Sequence, residues 1–433
     1  MTTPASNDTE KLNFDSFVHI IDGKPRSSAN TRHGLNPANR QAKAEVPVAT
    51  EQDLDDAVTA AKTAFKKWRR VPYEDRKKAV LAYADAIDEL RGEFRDLLIS
   101  EQGKPLPQAD FETDAAIQWI RGMAGIELPE DVIEESKSRT VITRYTPLGV
   151  VGAIVPWNFP LLLATGKIAP ALLTGNVVIV KPSPFTPYCG LKLVELAQRF
   201  FPAGVVQSLS GDDSLGPWMT SHPGIDKISF TGSTTTGKLV VQSASKTLKR
   251  VTLELGGNDP AIVLPDVNVE KVAEKCAQLT PIQYTRVKTF FDDIKKQGWS
   301  AATGGEIEPS SGYFIRPTII DRPPENSRIV VEEPFGPIVP LLSWKDEEDV
   351  IERANNTSMG LGASVWSNDP AKAGEIGKRL EAGNVWINTH FDLSPLAPFG
   401  GHKESGIGTE WGSNGLKGFC NVQTLFLNKN IVA

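Results

Sequence analysis

The chain has 433 residues, too many for one hydrophobic core and enough for two or three domains. Its 47 basic and 53 acidic residues leave a net charge of −6, which argues against a nucleic-acid groove or a polybasic membrane patch. Three cysteines (Cys189, Cys276 and Cys420) make no disulfide framework, and the polar N-terminus lacks a signal-peptide core, so a cytoplasmic protein is expected.

Residues 1–14 read as a disordered tail, and 18–21 and 44–48 as edge strands. Leu54, Val58, Ala61, Phe65 and Trp68 recur at steps of three and four, which predicts an amphipathic helix over 52–70. Val80, Tyr83, Ile87 and Leu90 repeat the pattern in 74–91, and further helices are expected near 93–102 and 108–125. The stretch 138–145 alternates polar and apolar residues, as a strand with one wet face does, and suits an arm that pairs with something else.

The organising stretch is 149–187. An apolar β-branched run at 150–155 leads into the turn Pro156-Trp157-Asn158-Phe159-Pro160. Residues 161–173 follow, apolar nearly all round and so predicted to be a buried helix; they are too few to span a bilayer and contain Lys167. A second apolar strand, 177–180, stops at Lys181-Pro182. Strand, helix and strand make a βαβ unit and call for a parallel sheet, with Asn158 and Lys181 just past the strand ends, where such sheets bind ligands.

The wound pattern continues with a helix at 188–200, a strand at 205–209, a short helix near 214–221, a strand at 227–231, a helix from 234 to 246 and a strand at 250–255. Together they predict an α/β, doubly wound sheet of the dinucleotide-binding type. Residues 232–238, GSTTTGK, match the start of a P-loop, but Leu239 stands where that loop needs Ser or Thr for Mg²⁺. What remains is a glycine turn opening a helix, with backbone N–H groups and the Ser233 hydroxyl available to phosphate, or a plain Ser N-cap. Glu254 ends a strand before Gly256-Gly257, where the backbone can approach a ligand closely; a solvated strand end is the simpler reading of the tetrapeptide alone.

Residues 261–416 suggest a second α/β domain, with strands at 261–264, 338–343, 362–366 and 384–388 and helices at 269–278, 281–297, 346–355 and 370–381. A Gly-rich aromatic tail precedes a last strand, 420–427, that could pair with the 138–145 arm of another subunit.

Six motifs now stand together: PWNFP at 156–160, KPSP at 181–184, FTGS at 230–233, ELGG at 254–257, EEPFGP at 332–337 and the PFGG…SG…GLKGF tail. With them the chain resembles the aldehyde dehydrogenase superfamily over nearly its whole length. The resemblance implies a cofactor domain (15–133 and 149–255), an oligomerisation arm (134–148 and 418–433) and a catalytic domain (256–417). It implies oxidation of an aldehyde to a carboxylate with NAD, NADP being possible, no metal, and a homodimer or homotetramer. In that chemistry a thiolate attacks the aldehyde, donors hold the oxyanion, hydride leaves for the nicotinamide, and a carboxylate activates the water that frees the acid. Asn158 matches the oxyanion donor and Glu254 the general base. Lys181 matches the adenosine-ribose ligand, Ser233 the pyrophosphate ligand and Glu333 the nicotinamide-ribose ligand. Phe335 matches the residue beside the nicotinamide, and Pro156, Trp157, Ser183, Gly232, Leu255 and Gly256 fall at cofactor positions.

Two departures stand out. The family's nucleophile follows Gly-Gln in a loop well after ELGG, and no Gly-Gln-x-Cys exists here. The helix at 269–278 runs straight into a segment that the family places several dozen residues later, so a catalytic-domain piece with that loop, at least one strand and a helix is missing near 278–279. Cys189 and Cys276 lie on apolar helical stripes and Cys420 on the tail strand; Cys276, nearest in sequence, is the residual candidate. Second, Pro184 stands where many members carry a Glu that binds the ribose diol, which predicts weak discrimination between NAD and NADP. The chain then reads as an impaired aldehyde dehydrogenase, as a cofactor-binding pseudoenzyme acting with an intact relative, or as the product of an incomplete coding sequence.

Overall fold

The computed structural model describes residues 12–276 and 283–430. The expected join near 278–279 and most of the expected disordered tail lie outside these residues. Residues 12–14 are ordered, contrary to expectation: Leu12 is buried and the Phe14 ring packs edge-on against Phe94 at 5.3 Å. Two apolar side chains in sequence with a core edge within reach are reason enough for the chain to settle there.

The main sheet has eight strands in the order Lys24–Arg26, His19–Ile21, Val206–Ser208, Val177–Lys181, Val150–Ile154, Lys227–Thr231, Arg250–Glu254 and Gly406–Ile407. The middle five run parallel, and the pairings flanking them are antiparallel. Val150–Ile154 and Val177–Lys181 are buried along their whole length, as a sheet covered on both faces requires. From the central strand Val150–Ile154 the chain winds first to one side and then returns to add Lys227–Thr231 on the other. That reversal opens a crevice at the carboxyl ends of these two strands, and Asn158 and Gly232 follow them directly.

Four N-terminal helices, Glu51–Trp68, Tyr73–Glu89, Arg91–Gln102 and Leu106–Ala124, fall close to the periodic stretches. The buried helix Pro160–Leu173 starts on proline, whose missing N–H costs nothing at a first turn. The strands at 18–21 and 44–48 divide: His19–Ile21 joins the main sheet, whereas Ala42–Pro47 pairs with Thr31–Leu35 in a separate ribbon.

The arm differs from expectation in its partner. Arg139–Pro147 pairs antiparallel with Cys420–Asn428 of the same chain, from Pro147↔Cys420 to Arg139↔Asn428, and Asp131–Glu135 adds a third strand. Alternation marks a strand but not which strand completes it. Beyond residue 260 lie two separate three-stranded sheets, each with its own apolar core. One holds Ala261–Val263, Gly362–Trp366 and Asn384–Ile387; the other holds Ala301–Thr303, Thr318–Asp321 and Ile338–Leu341.

Asn176 ties the ends of this architecture together. Fully buried, its Oδ1 accepts the Gly149 N–H at 2.8 Å, and its Nδ2 donates to the Phe419 carbonyl at 2.9 Å. Asn176→Ala strands both groups, each costing about 1–3 kcal/mol when buried without a partner. We expect the denaturation midpoint to fall accordingly, with Asn176→Asp, which keeps only the acceptor, in between.

Candidate active site

The turn carrying Asn158 is held from outside the sheet. Lys104 and Glu112, both buried, form an ion pair beneath it. Glu112 Oε1 accepts the N–H groups of Leu161 (2.9 Å) and Leu162 (3.2 Å), capping the helix Pro160–Leu173 where its dipole favours an anion. Lys104 Nζ donates to the Asn158 carbonyl at 2.7 Å and lies 3.8 Å from the Phe159 ring centre. The Asn158 backbone is thus fixed, its side-chain Oδ1 is buried without a hydrogen-bond partner, and no described residue accepts from its Nδ2. An Nδ2 donor that is held in place and not engaged by the protein is what an oxyanion site needs.

Glu254, at the end of Arg250–Glu254, is 5% exposed, and both carboxyl oxygens lack a hydrogen-bond partner. It meets a second carboxylate, Glu410, which is paired with Lys167 from the middle of the apolar helix. Lys167 Nζ also donates to Thr231 Oγ1 at 2.9 Å, and Ser229 Oγ donates to Glu410 Oε1 at 3.0 Å. Burial first, and the Glu410 charge second, push the Glu254 pKa well above the carboxylate range; Lys167 opposes them only in part. A carboxyl raised in this way binds a proton more readily than a solvated one, as a general base does. Neither Lys104–Glu112 nor Lys167–Glu410 was among the residues expected at the site, although a lysine in the middle of an apolar helix already demands a buried acid.

The motif residues converge around this centre. Gly232 N–H donates to the Glu254 carbonyl at 3.0 Å. Ser233 is the N-cap of Thr234–Ala244, its Oγ accepting the Thr236 N–H, so the hydroxyl is engaged and the first-turn N–H groups are what face an anion. Lys238 pairs with Glu404 at 2.9 Å and is not turned to the glycine turn, which removes the P-loop reading. Glu333 reaches the ELGG turn: its Oε2 would lie 3.1 Å from a Cβ at Gly256, and burial, then Asp259, raises its pKa to about 7. The Trp157 and Phe335 rings stand 5.3 Å apart. Leu255 packs over Gly237; Pro156 is half-buried, and the buried Ser183 accepts the Phe185 N–H on its Oγ. Lys181 ends its strand 7% exposed, and burial lowers its pKa to about 8. The tail seals the edge: Gly406 pairs with Glu254, and a Cβ there would meet the Leu253 carbonyl at 2.5 Å.

Two of the thiols are elsewhere. Cys189 is buried, with Sγ 3.9 Å from the Phe94 carbonyl, and burial pushes its pKa up. Cys420 begins the arm strand, its thiol pushed up to about 12 by burial. Cys276 is the last residue of Val269–Cys276, and its side chain lies outside the described residues.

A sequence model described as the Aldehyde dehydrogenase family matches residues 25–280 and 276–425. A putative aldehyde dehydrogenase of Gibberella fujikuroi is 43% identical over 462 aligned positions, covering 96% of this chain and all of the relative. One of Bacillus subtilis is 34% identical, covering 94% of this chain and 95% of its own. Among solved structures, an NAD⁺ complex of the aldehyde dehydrogenase from Bacillus cereus superposes with a TM-score of 0.93 at 33% identity, covering 99% of each chain.

The raised pKa of Glu254 has a consequence for stability. The folded state holds this proton more tightly than the unfolded chain, whose value is near 4.5, so the associated stability is present in acid and is lost as pH rises toward the folded value. Glu254→Gln, neutral and of the same shape, should match the wild type in denaturation midpoint in acid and exceed it increasingly toward alkaline pH. A constant gap across the titration would show that the carboxylate is solvated.

Proposed function

The chain belongs to the aldehyde dehydrogenase family, and we propose that it is an oxidoreductase of that family that binds nicotinamide dinucleotide but is impaired in the thioester route. The observation that carries this reading is a site with its oxyanion amide and its base in place and no available thiolate among the described residues. The two stretches matched by the family model overlap at 276–280, and the Gibberella alignment needs 462 positions against 433 residues here; both favour an internal loss at that point. The separation of the second region into two sheets fits the loss of a strand between them. An incomplete coding sequence would have the same signature, and mass spectrometry of the native protein across 276–282 separates the two.

The residues present suit the dinucleotide. Lys181 lies nine-tenths buried and unpaired where the adenosine ribose would rest, the Thr234–Ala244 N-terminus offers N–H groups, and Glu333 and the Trp157–Phe335 pair would hold the nicotinamide end. The bound dinucleotide supplies a hydride acceptor. Asn158 donates to the aldehyde oxygen and polarises the carbonyl. Glu254 takes a proton from water, and its new neutrality relieves repulsion with Glu410. Without a thiolate nothing fixes the carbonyl carbon covalently, and only the hydrate of the aldehyde is available for oxidation. Losing a nucleophile costs several orders of magnitude, on the order of 10⁴ or more. A panel of aliphatic and aromatic aldehydes with NAD and NADP, followed at the reduced-nicotinamide absorbance, should give slow turnover that Glu254→Gln abolishes and Cys276→Ser does not. Rapid turnover lost in Cys276→Ser would make that cysteine the nucleophile.

We assign the arm to self-association, with residence in the cytoplasm. No helix among the described residues is long and apolar enough to cross a membrane. The arm sheet leaves Val132, Ile133, Val422 and Phe426 60–69% exposed, apolar surface that a second copy would cover. Sedimentation should show a dimer or larger, and Phe426→Asp should weaken it; a wild-type chain that stays monomeric at micromolar concentration would overturn the assignment.

A further inference from the structure

The adenosine end of the crevice contains a group that no motif marks. Arg32, on the ribbon strand Thr31–Leu35, crosses to the main sheet and donates from Nη1 to the Gly211 carbonyl at 3.2 Å. Gly211 follows the strand Val206–Ser208, whose neighbour ends on Lys181. The loop Gly211–Ser214 and the helix Leu215–Ser221 close the same corner: a Cβ on Gly216 would stand 4.0 Å from Lys181 Cε.

Two features of this corner point to an anion. Arg32 Nε is buried without a hydrogen-bond partner. Lys181 is nine-tenths buried, and no described residue forms an ion pair or hydrogen bond with its ammonium group. The half-buried Arg32 and the buried Lys181 repel one another, and the Arg32 charge does depress the Lys181 pKa, second to burial. The carboxylates in reach, Asp212 and Asp213, are exposed; Asp212 Oδ1 is turned to the Ser214 N–H at 2.9 Å. Water screens them more than it screens the buried Lys181 ammonium group. Pro184 places no carboxylate on this side.

We propose that Arg32 and Lys181 form a seat for a phosphate on the 2′ position of the adenosine ribose, so that this chain favours the 2′-phosphorylated dinucleotide. The proposal rests on the cofactor reading above and goes beyond the weak discrimination expected from Pro184 alone. A guanidinium with a free Nε–H beside an ammonium group suits a phosphate monoester in geometry and in charge. A neutral ribose hydroxyl would leave most of that charge uncompensated.

The test is direct titration of the folded chain with AMP, adenosine 2′,5′-bisphosphate, NAD and NADP. The 2′-phosphate should tighten binding about tenfold or more, the scale of one or two charge-assisted hydrogen bonds, and the gain should shrink with added salt. Arg32→Leu should abolish the gain while leaving AMP and NAD affinities within about twofold, which also reports that the variant is folded. Arg32→Lys should restore part of it. Equal binding of AMP and the bisphosphate by the wild type, or a gain that survives Arg32→Leu, would overturn the seat and leave the cofactor reading standing. No binding of AMP or NAD would overturn the cofactor reading and the seat with it.

Discussion

The buried pair Lys167–Glu410 is the constraint on which the rest of the structure depends. Lys167 comes from the middle of a helix whose neighbours are aliphatic, and Glu410 comes from the glycine-rich tail some 240 residues later. A lone ammonium group there would carry a desolvation penalty of several kcal/mol, so the tail has to return to the core for the helix to be buried at all. Once Glu410 is in place, its neighbours follow. Gly406–Ile407 closes the sheet beside Glu254, and Ser405 Oγ links the Gly256 carbonyl (2.6 Å) to the Gly360 N–H (2.9 Å). The tail and the site therefore share one set of native contacts.

The same pair sets the electrostatics of the reaction centre. Glu254 is left facing a carboxylate that is paired with Lys167 through Oε1, with no cation of its own, and its proton affinity rises. On the opposite side Lys104–Glu112 does the reverse for Asn158: it engages the backbone carbonyl and the helix N–H groups, while no described residue engages the side-chain amide. One buried ion pair raises the proton affinity of a carboxyl, and the other holds an amide in place. The polar frames around Glu254 and Asn158 are both present, while only seven residues separate the helix ending at Cys276 from the helix beginning at Tyr284.

What could be read in advance divides along physical lines. Helices such as Glu51–Trp68 and Tyr73–Glu89, and the parallel strands around Val150–Ile154, were legible because periodicity and β-branching are local properties. The short strands Asp131–Glu135, Ala301–Thr303 and Thr318–Asp321 were not, since three to five residues of mixed polarity carry too little pattern to separate them from loops. The site motifs could be placed because Asn158, Gly232 and Glu254 each follow a recognisable strand, and a doubly wound sheet binds ligands at that edge.

The sequence by itself determined the order of the elements, the sheet type, the family and the absence of the usual nucleophile motif; each of these is written in short stretches of chain. Only the tertiary structure decided which charges meet. Lys104 with Glu112, Lys167 with Glu410, Arg32 beside Lys181, and the arm strand with the tail of its own chain are all choices of partner. The cost of an unpaired buried charge guarantees that a partner exists. Its identity depends on where the backbone returns in space, which no local pattern encodes.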